Sequence, residues 1–487
     1  MTFILKENRI DIATVFKEII MSIYSFGKSK NALKVNKTTN MLEGPILPAL
    51  LSFAFPLIIS GVLQQLYNTA DTLVVGAMGG KEALAAVGAT GAIISLLINI
   101  FANFYTGCNI LVARAKGTKD DVAMRRIVST TYIVTIFIGI FLTLLAEILA
   151  RPMLEWTDCP QNIIDESEKY LRIYFAGVPA SMFMNFGASV IRSSGDSRSP
   201  FIYMGISGFV NVVCNVVFVL LFGDPVAAVA IATIISQYLS AAQFAIHLIK
   251  DKSATGLRPF KFEFHSTTFV KTLKLGIPSA ISAGTFALTN LIIQPVVNSF
   301  GDIAISGSAA SSTIEAYLYV ITQAVGAGVA TFMGQNIGAG KKERVKQVLI
   351  KGYAFNITAM AIFTAVVLSL GKILLGCFIP GETEAIEFGF LRLCMIVGAS
   401  VINSIMNVNG GALQAYGKTF LQMLSNLIGV CLFRIIWMIF LYGTVLEANP
   451  FNFLVCYPVT WSITAFTLLT VVIVLTKKYL GGKEYKL

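Results

Sequence analysis

From Ile46 to Ala70 the chain carries no charged residue. At ~1.5 Å per helical residue that length crosses a hydrocarbon layer of ~30 Å, so the stretch reads as a membrane-spanning helix. Within it Ser60, Gln64, Asn68 and Asp71 fall at steps of four, four and three, which places them on one face. That face ends in a carboxylate. An ionisable group in such a helix is costly and by default faces a bundle interior or a wet cavity, where it marks an ion or substrate path. The plainer alternative is an Asp71 solvated near the headgroups. Pro56 has no N–H to give the carbonyl of Ser52 and is expected to bend the helix.

About twelve such spans follow one another: 46–76, 84–112, 126–150, 170–192, 200–222, 226–249, 273–297, 308–333, 349–376, 388–413, 419–443 and 452–476. The chain is 55% hydrophobic and only 13% charged, against about 25% charge in soluble domains. The expected class is therefore an all-α integral membrane protein. Its net charge of +11 does not indicate nucleic acid, because the basic residues sit between apolar runs and form no single patch. Connections after even-numbered spans are basic, with Arg114, Lys116, Arg125 and Arg126 in one and Lys341, Lys342, Arg344 and Lys346 in another; those after odd-numbered spans are short or acidic. Both termini are then expected in the cytoplasm of a cell whose plasma membrane holds the protein. Residues 1–45 read as an amphipathic cytoplasmic tail, with Val15, Phe16, Ile19, Ile20 and Ile23 on one helical stripe, and 477–487 as a basic tail.

The chain repeats itself. Aligning Pro56 with Pro278 brings together Asn68 and Asn290, Val74-Val75 and Val296-Val297, and Gly79 and Gly301; with small gaps Gly107 meets Gly328, Gly117 meets Gly338, and Leu171-Arg172 meets Leu391-Arg392. The repeat is six spans long. Two lobes, 46–250 and 273–476, joined by a cytoplasmic linker 251–272, are expected to share one orientation and be related by an axis along the membrane normal, as in transporters built from parallel repeats.

Several stretches in register resemble the multidrug and toxic compound extrusion (MATE) family: FPLIISGVLQQLYNTADTLVVG, VARAKGTKDD with its partner GQNIGAGKKERV, VIRSSGDSRSP, and Glu-Gly-Pro-Ile before the first span. The resemblance covers about residues 43–478. It implies a twelve-helix, two-lobe antiporter that exports organic, often cationic compounds against protons or sodium ions. Residue by residue it assigns the coupling ion to Asp71, Asn211, Asn215 and Thr233, and a helix bend to Pro56. Asn215 stands where many members carry an aspartate. Asn211 and Asn215 share a helix face at a step of four, as do Thr233 and Gln237. Two close carboxylates would repel and so favour carriage of a proton. With Asn215 in place that push is absent, and a sodium ion among carboxylate, amide and hydroxyl oxygens becomes a serious alternative. Packing between helices is the plainer role for the two amides.

The second half is not a copy, since Ile293 occupies the place of Asp71. The candidate substrate cleft comprises Gln64, Asn68, Gln237, Asn290, Glu315, Tyr319, Asn403 and Asn407. Glu315 reads equally as a cation attractor and as half of a buried ion pair, for which Arg434, the arginine most evidently deep in a span, is the expected partner. Glycines 117, 338 and 340 are expected to end helices. No phosphate-loop motif, catalytic triad, cysteine framework or histidine cluster appears, so enzymatic activity, a cofactor, and any metal beyond sodium are not expected. The partners expected are small amphiphiles and the bilayer, for a monomer. Two rivals remain: a lipid-linked glycan flippase of related fold, which would need cleft arginines for phosphates, and a receptor or scaffold that does not transport.

Overall fold

A helix placed in lipid must satisfy its backbone internally, so apolar runs of this length have few alternatives to α-helix. A computed structural model describes residues 38–157, 159–258, 261 and 263–482, and the amphipathic stripe at 15–23 lies outside them. Among the described residues the only β-pairing is an isolated bridge between Tyr442 and Leu446. Among the described residues ten helices are long and apolar enough to span a membrane, and two bent pairs bring the number to twelve. They are α1 (Ile46–Gly80), α2 (Glu82–Thr118), α3 (Asp121–Trp156), α4 (Ile164–Phe175 with Val178–Ser193), α5 (Arg198–Phe222) and α6 (Pro225–Lys250) in the first half. The second half has α7 (Ser266–Ser299), α8 (Asp302–Gly338), α9 (Lys342–Phe378), α10 (Thr383–Ile396 with Ser400–Ala415), α11 (Thr419–Leu441) and α12 (Pro450–Leu480).

Hydropathy locates every span but understates its length, because helices continue as polar turns beyond the apolar layer. Thus α7 starts at Ser266 inside the expected linker, and α12 runs to Leu480 into the expected tail. The backbone of α1 stays helical through Pro56, and the non-helical residue between α1 and α2 is Gly80, at φ 77° and ψ −171°. Breaks in α4 and α10, of 46° and 45°, occupy corresponding places in the repeat. Both are capped from outside: Thr143 of α3 and Tyr238 of α6 donate to the carbonyls of Phe175 and Ala176 at 3.4 and 3.0 Å, and Thr364 of α9 donates to that of Val397 at 3.0 Å. Freed carbonyls at membrane depth persist only with such partners.

The ends of α2, α4, α8 and α10 gather on one face. Arg114 donates twice to the carbonyl of Ala415, at 3.1 and 2.6 Å; Gln335 donates to that of Ser193 at 2.8 Å, and Thr331 to Asn109 Oδ1 at 3.2 Å. This is the face of the basic loops, and the lobes are sealed there. Gly117 and Gly338 allow the seal, since a Cβ on either would lie 2.0 Å from the Gln335 carbonyl oxygen or 2.2 Å from that of Arg114. These two glycines serve close approach near the helix ends, and the left-handed residue that follows is Lys119, at φ 57°, after the first and Gly340, at φ 69°, after the second, as expected of Gly340.

Each half has its own apolar core, yet the first helix of each half crosses into the other. Leu50 and Phe53 at the start of α1 are fully buried in the core of the second half, with Phe53 edge-on to Phe332 at 5.9 Å, whereas Val75 near its end joins the first. In α7, Leu275 packs in the first core and Ile293 and Val297 in the second. Part of the expected tail is likewise drawn in. Met41 is buried, and Arg344 donates to the carbonyls of Met41, Glu43 and Gly44 at 3.2, 3.0 and 2.8 Å.

Candidate functional site: an acid in one lobe, an arginine in the other

Two spans of one lobe supply the polar groups that lead from the acid of α1, through the amides of Asn215 and Asn211, to the hydroxyl of Thr233. Spacing of four residues puts Asn211 and Asn215 one turn apart on α5, and their side chains are buried. Asn215 Nδ2 donates to Asp71 Oδ1 and also, at 3.4 Å, to Asn211 Oδ1. Asn211 Nδ2 in turn donates to Thr233 Oγ1 at 3.4 Å, while Thr233 donates back to the carbonyl of Val229 at 2.9 Å. All four expected ion-site residues therefore form one chain of contacts across α1, α5 and α6. Among the described residues no lysine or arginine forms an ion pair with Asp71. The Oδ1 of Asn215 is buried and has no hydrogen-bond partner, and the same holds for Oε1 of Gln237.

Sequence reasoning missed two members of this site. Tyr170 and Tyr174 of α4 are buried, stack at 6.4 Å, and lie within electrostatic reach of Asp71, with Gln237 beside Tyr174. Their i, i+4 spacing is the signal that could have found them. It was obscured by the acidic run Asp165 to Glu168, which reads as loop although it opens the helix.

The second lobe differs in kind. Glu315 of α8 is buried, but its partner is not Arg434: Arg392 of α10 holds it in a two-pronged pair, Nε to Oε1 at 2.7 Å and Nη2 to Oε2 at 3.0 Å. Planar guanidinium matches carboxylate in this geometry. Glu315 is thus the structural half of its two expected roles, and its charge is neutralised locally. Tyr319 stands beside this pair, edge-on to Trp461 at 6.4 Å. Asn403 and Asn407 bind each other, with Asn407 Nδ2 donating to Asn403 Oδ1 at 2.9 Å. Gln64, Asn68 and Asn290 are exposed, and among the described residues no hydrogen bond joins them to either cluster.

Fold and sites together define a two-lobe, polytopic helical membrane protein with a polar cluster inside each lobe. The MatE family model matches the chain twice, at residues 56–217 and 278–440, so each match begins on one of the two aligned prolines. Among curated proteins, probable multidrug resistance protein YoeA of Bacillus subtilis (strain 168) is 27% identical over 382 residues, 74% of this chain and 81% of that protein. Probable multidrug resistance protein YpnP of the same strain is 26% identical over 398 residues, 82% and 89% of the two chains. A crystal structure of MATE in complex with MaL6 superposes with a TM-score of 0.84 at 18% identity, covering 92% of this chain and all of that one. The chain belongs to the MatE family of multidrug and toxic compound extrusion transporters.

Proposed function

We propose that the protein is a secondary antiporter of the plasma membrane, working as a monomer with both termini in the cytoplasm, that exports amphipathic, often cationic organic molecules in exchange for an inward-moving cation. One observation carries this reading: Asp71 is held by the Asn215 amide, among the described residues with no basic residue paired to it, beside the buried, unpartnered Oδ1 of Asn215. A carboxylate with spare neutral oxygens around it suits a small hard cation. Of the two candidate ions, sodium is favoured over the proton, because Asn215 gives an oxygen ligand where a second carboxylate would share a proton. In this scheme, Asp71, Asn211, Asn215 and Thr233 hold the ion, the lobes rock about α1 and α7, and ion and substrate favour opposite states. The multidrug names of YoeA and YpnP support the substrate class. The flippase reading needs free arginines in the cleft, whereas Arg392 is engaged by Glu315 and Arg434 is 2% exposed.

The test is uptake of a fluorescent organic cation into inverted vesicles under an imposed sodium or proton gradient, for wild type and Asp71→Asn. Sodium-driven uptake that is lost in the variant is expected. An Asp71→Asn protein that still concentrates the dye as wild type does would overturn the assignment.

A further inference from the structure

Arg434 stands in the middle of α11, 2% exposed. Irregular backbone flanks it on both sides, π-helical turns at Leu427–Leu432 and Trp437–Leu441, and such turns inside membrane helices recur at functional positions. Its guanidinium lies 4.2 Å above the ring of Tyr457, which occupies a face and leaves the edge with its in-plane N–H groups to be satisfied. Along that edge the structure offers little. Nη2 makes one long contact, 3.4 Å to Thr460 Oγ1, and Nε is buried with no acceptor. Trp461, the next residue after Thr460, is 1% exposed and its Nε1 also lacks an acceptor.

The one acid in this cluster is already spent. Both oxygens of Glu315 accept from Arg392, whose own guanidinium is 5.8 Å from the same Tyr457 ring. Glu315, Arg392 and Arg434 therefore leave one positive charge unmatched, and among the described residues no carboxylate forms an ion pair with Arg434. A guanidinium does not escape by losing its proton, and a buried charge is normally paired. Two buried N–H donors without acceptors, beside an uncompensated cation, are what an absent anion would satisfy.

We propose that the interior of the second lobe binds an anion at Arg434, with Arg434 and Trp461 as donors over the Tyr457 ring. The shared chemistry is a single negative charge that accepts hydrogen bonds from N–H groups, supplied either by a free halide or by the carboxylate of a bound organic molecule. The inference involves no transport step, so it stands or falls apart from the role of Asp71.

The experiment uses the purified full-length protein in detergent at constant sodium. Its melting temperature is followed as chloride, or in a second series benzoate, replaces a bulky sulfonate buffer ion. A ligand that binds only the folded state raises the melting temperature in step with its concentration over its dissociation constant. Wild type and Asp71→Asn are expected to rise saturably by several degrees with at least one anion, and Arg434→Met to stay flat. A chloride response identifies a free halide, and a response to benzoate alone identifies a carboxylate group. Trp461→Phe, a milder change, is expected to move the half-saturating concentration several-fold upward, and it keeps the test open should Arg434→Met not fold. No response of wild type to either anion, or an undiminished response in Arg434→Met or Trp461→Phe, overturns the proposal.

Discussion

The two lobes are built on one repeat and have opposite polar interiors. In the first, Asp71 is held by the amide of Asn215 with two tyrosines near it, and in the second Arg434 lies among aromatics and a threonine; among the described residues neither has an ion-pair partner. In the register that aligns Pro56 with Pro278, Asp71 corresponds to the buried Ile293, and Arg434 falls one position beyond the counterpart of Asn211. A second pair shows the same divergence. Arg172 is half-exposed and bridges Glu147 and Glu168, whereas its counterpart Arg392, with a side chain 11% exposed, is paired with the buried Glu315. The repeat thus preserves backbone features, such as the bent fourth and tenth spans with their hydroxyl caps, and leaves interior chemistry free to diverge. An unpaired charge at the centre of a membrane helix costs about 2.5–3.5 kcal/mol on insertion scales. Arg434 is the residue to which that cost applies, since Asp71 lies nearer the end of α1 and accepts a hydrogen bond from Asn215.

This contrast can be broken by experiment. The largest effect is expected at the pair that is complete. Glu315→Gln leaves two buried guanidinia unmatched and should lower stability by about 3–5 kcal/mol, read as a lower melting temperature in detergent. Asp71→Asn removes a charge with no basic partner and should melt no lower than wild type. Equal losses in both variants would mean that the lobes do not differ as described. Where the lobes are alike, they should respond alike: Gly117→Ala and Gly338→Ala each force a methyl against a backbone carbonyl in the seal. Each should cost about 1–3 kcal/mol and speed thiol labelling of a cysteine placed at the seal; a large difference between them would show that the seam is not symmetric in energy.

Asn215→Asp sharpens the account of the first lobe. A second carboxylate beside Asp71 cannot stay ionised together with it, so the pair should hold a proton, and vesicle uptake should shift about tenfold toward the proton gradient over the sodium gradient. An unchanged ratio would leave Asn215 a packing residue. The smallest effect concerns the edge opposite the seal, where Lys169 pairs with Asp224 at the start of α6. Burial alone would raise the Asp224 carboxyl, but hydrogen bonds from Lys169 and the Ala227 N–H outweigh it and hold the group below the usual carboxylate range. Its contribution is therefore full above about pH 3.9 and is lost as pH falls through the lower folded value. Because both side chains are about a third or more exposed, solvent screening limits it to about 0.5 kcal/mol. Asp224→Asn should melt slightly lower at neutral pH, with the difference vanishing in strong acid.

Hydropathy and loop charge made the twelve spans and their alternation legible, because a bilayer imposes length and polarity on every helix. The bends at Ala176–Gly177 and near Val397 were not legible, since they depend on hydroxyls arriving from other helices. Asp71, Asn211, Asn215 and Thr233 were readable as a set because periodicity placed the amides on one face and family resemblance joined them to the acid. Arg392 was overlooked as the partner of Glu315 although it stood inside a predicted span. Only the packing of α8 on α10 decides between it and Arg434, and no local pattern encodes that choice. Tyr170 stood at the very start of the expected span 170–192, beside acidic residues that belong to the helix end and not to a loop, and nothing local tied it to Asp71.

The crossing of α1 and α7 means that neither half owns a finished interior. The core of the second half includes Met41, Leu50 and Phe53 from before and within the first span, and that of the first half includes Leu275 from the seventh. Like two hands with fingers interlaced, the halves cannot be drawn apart by sliding; any relative rotation must be absorbed as flexing along the two shared helices. A chain cut in the connection before Ser266 would accordingly yield fragments that are each short of a piece of their own packing, and that regain it only by finding one another.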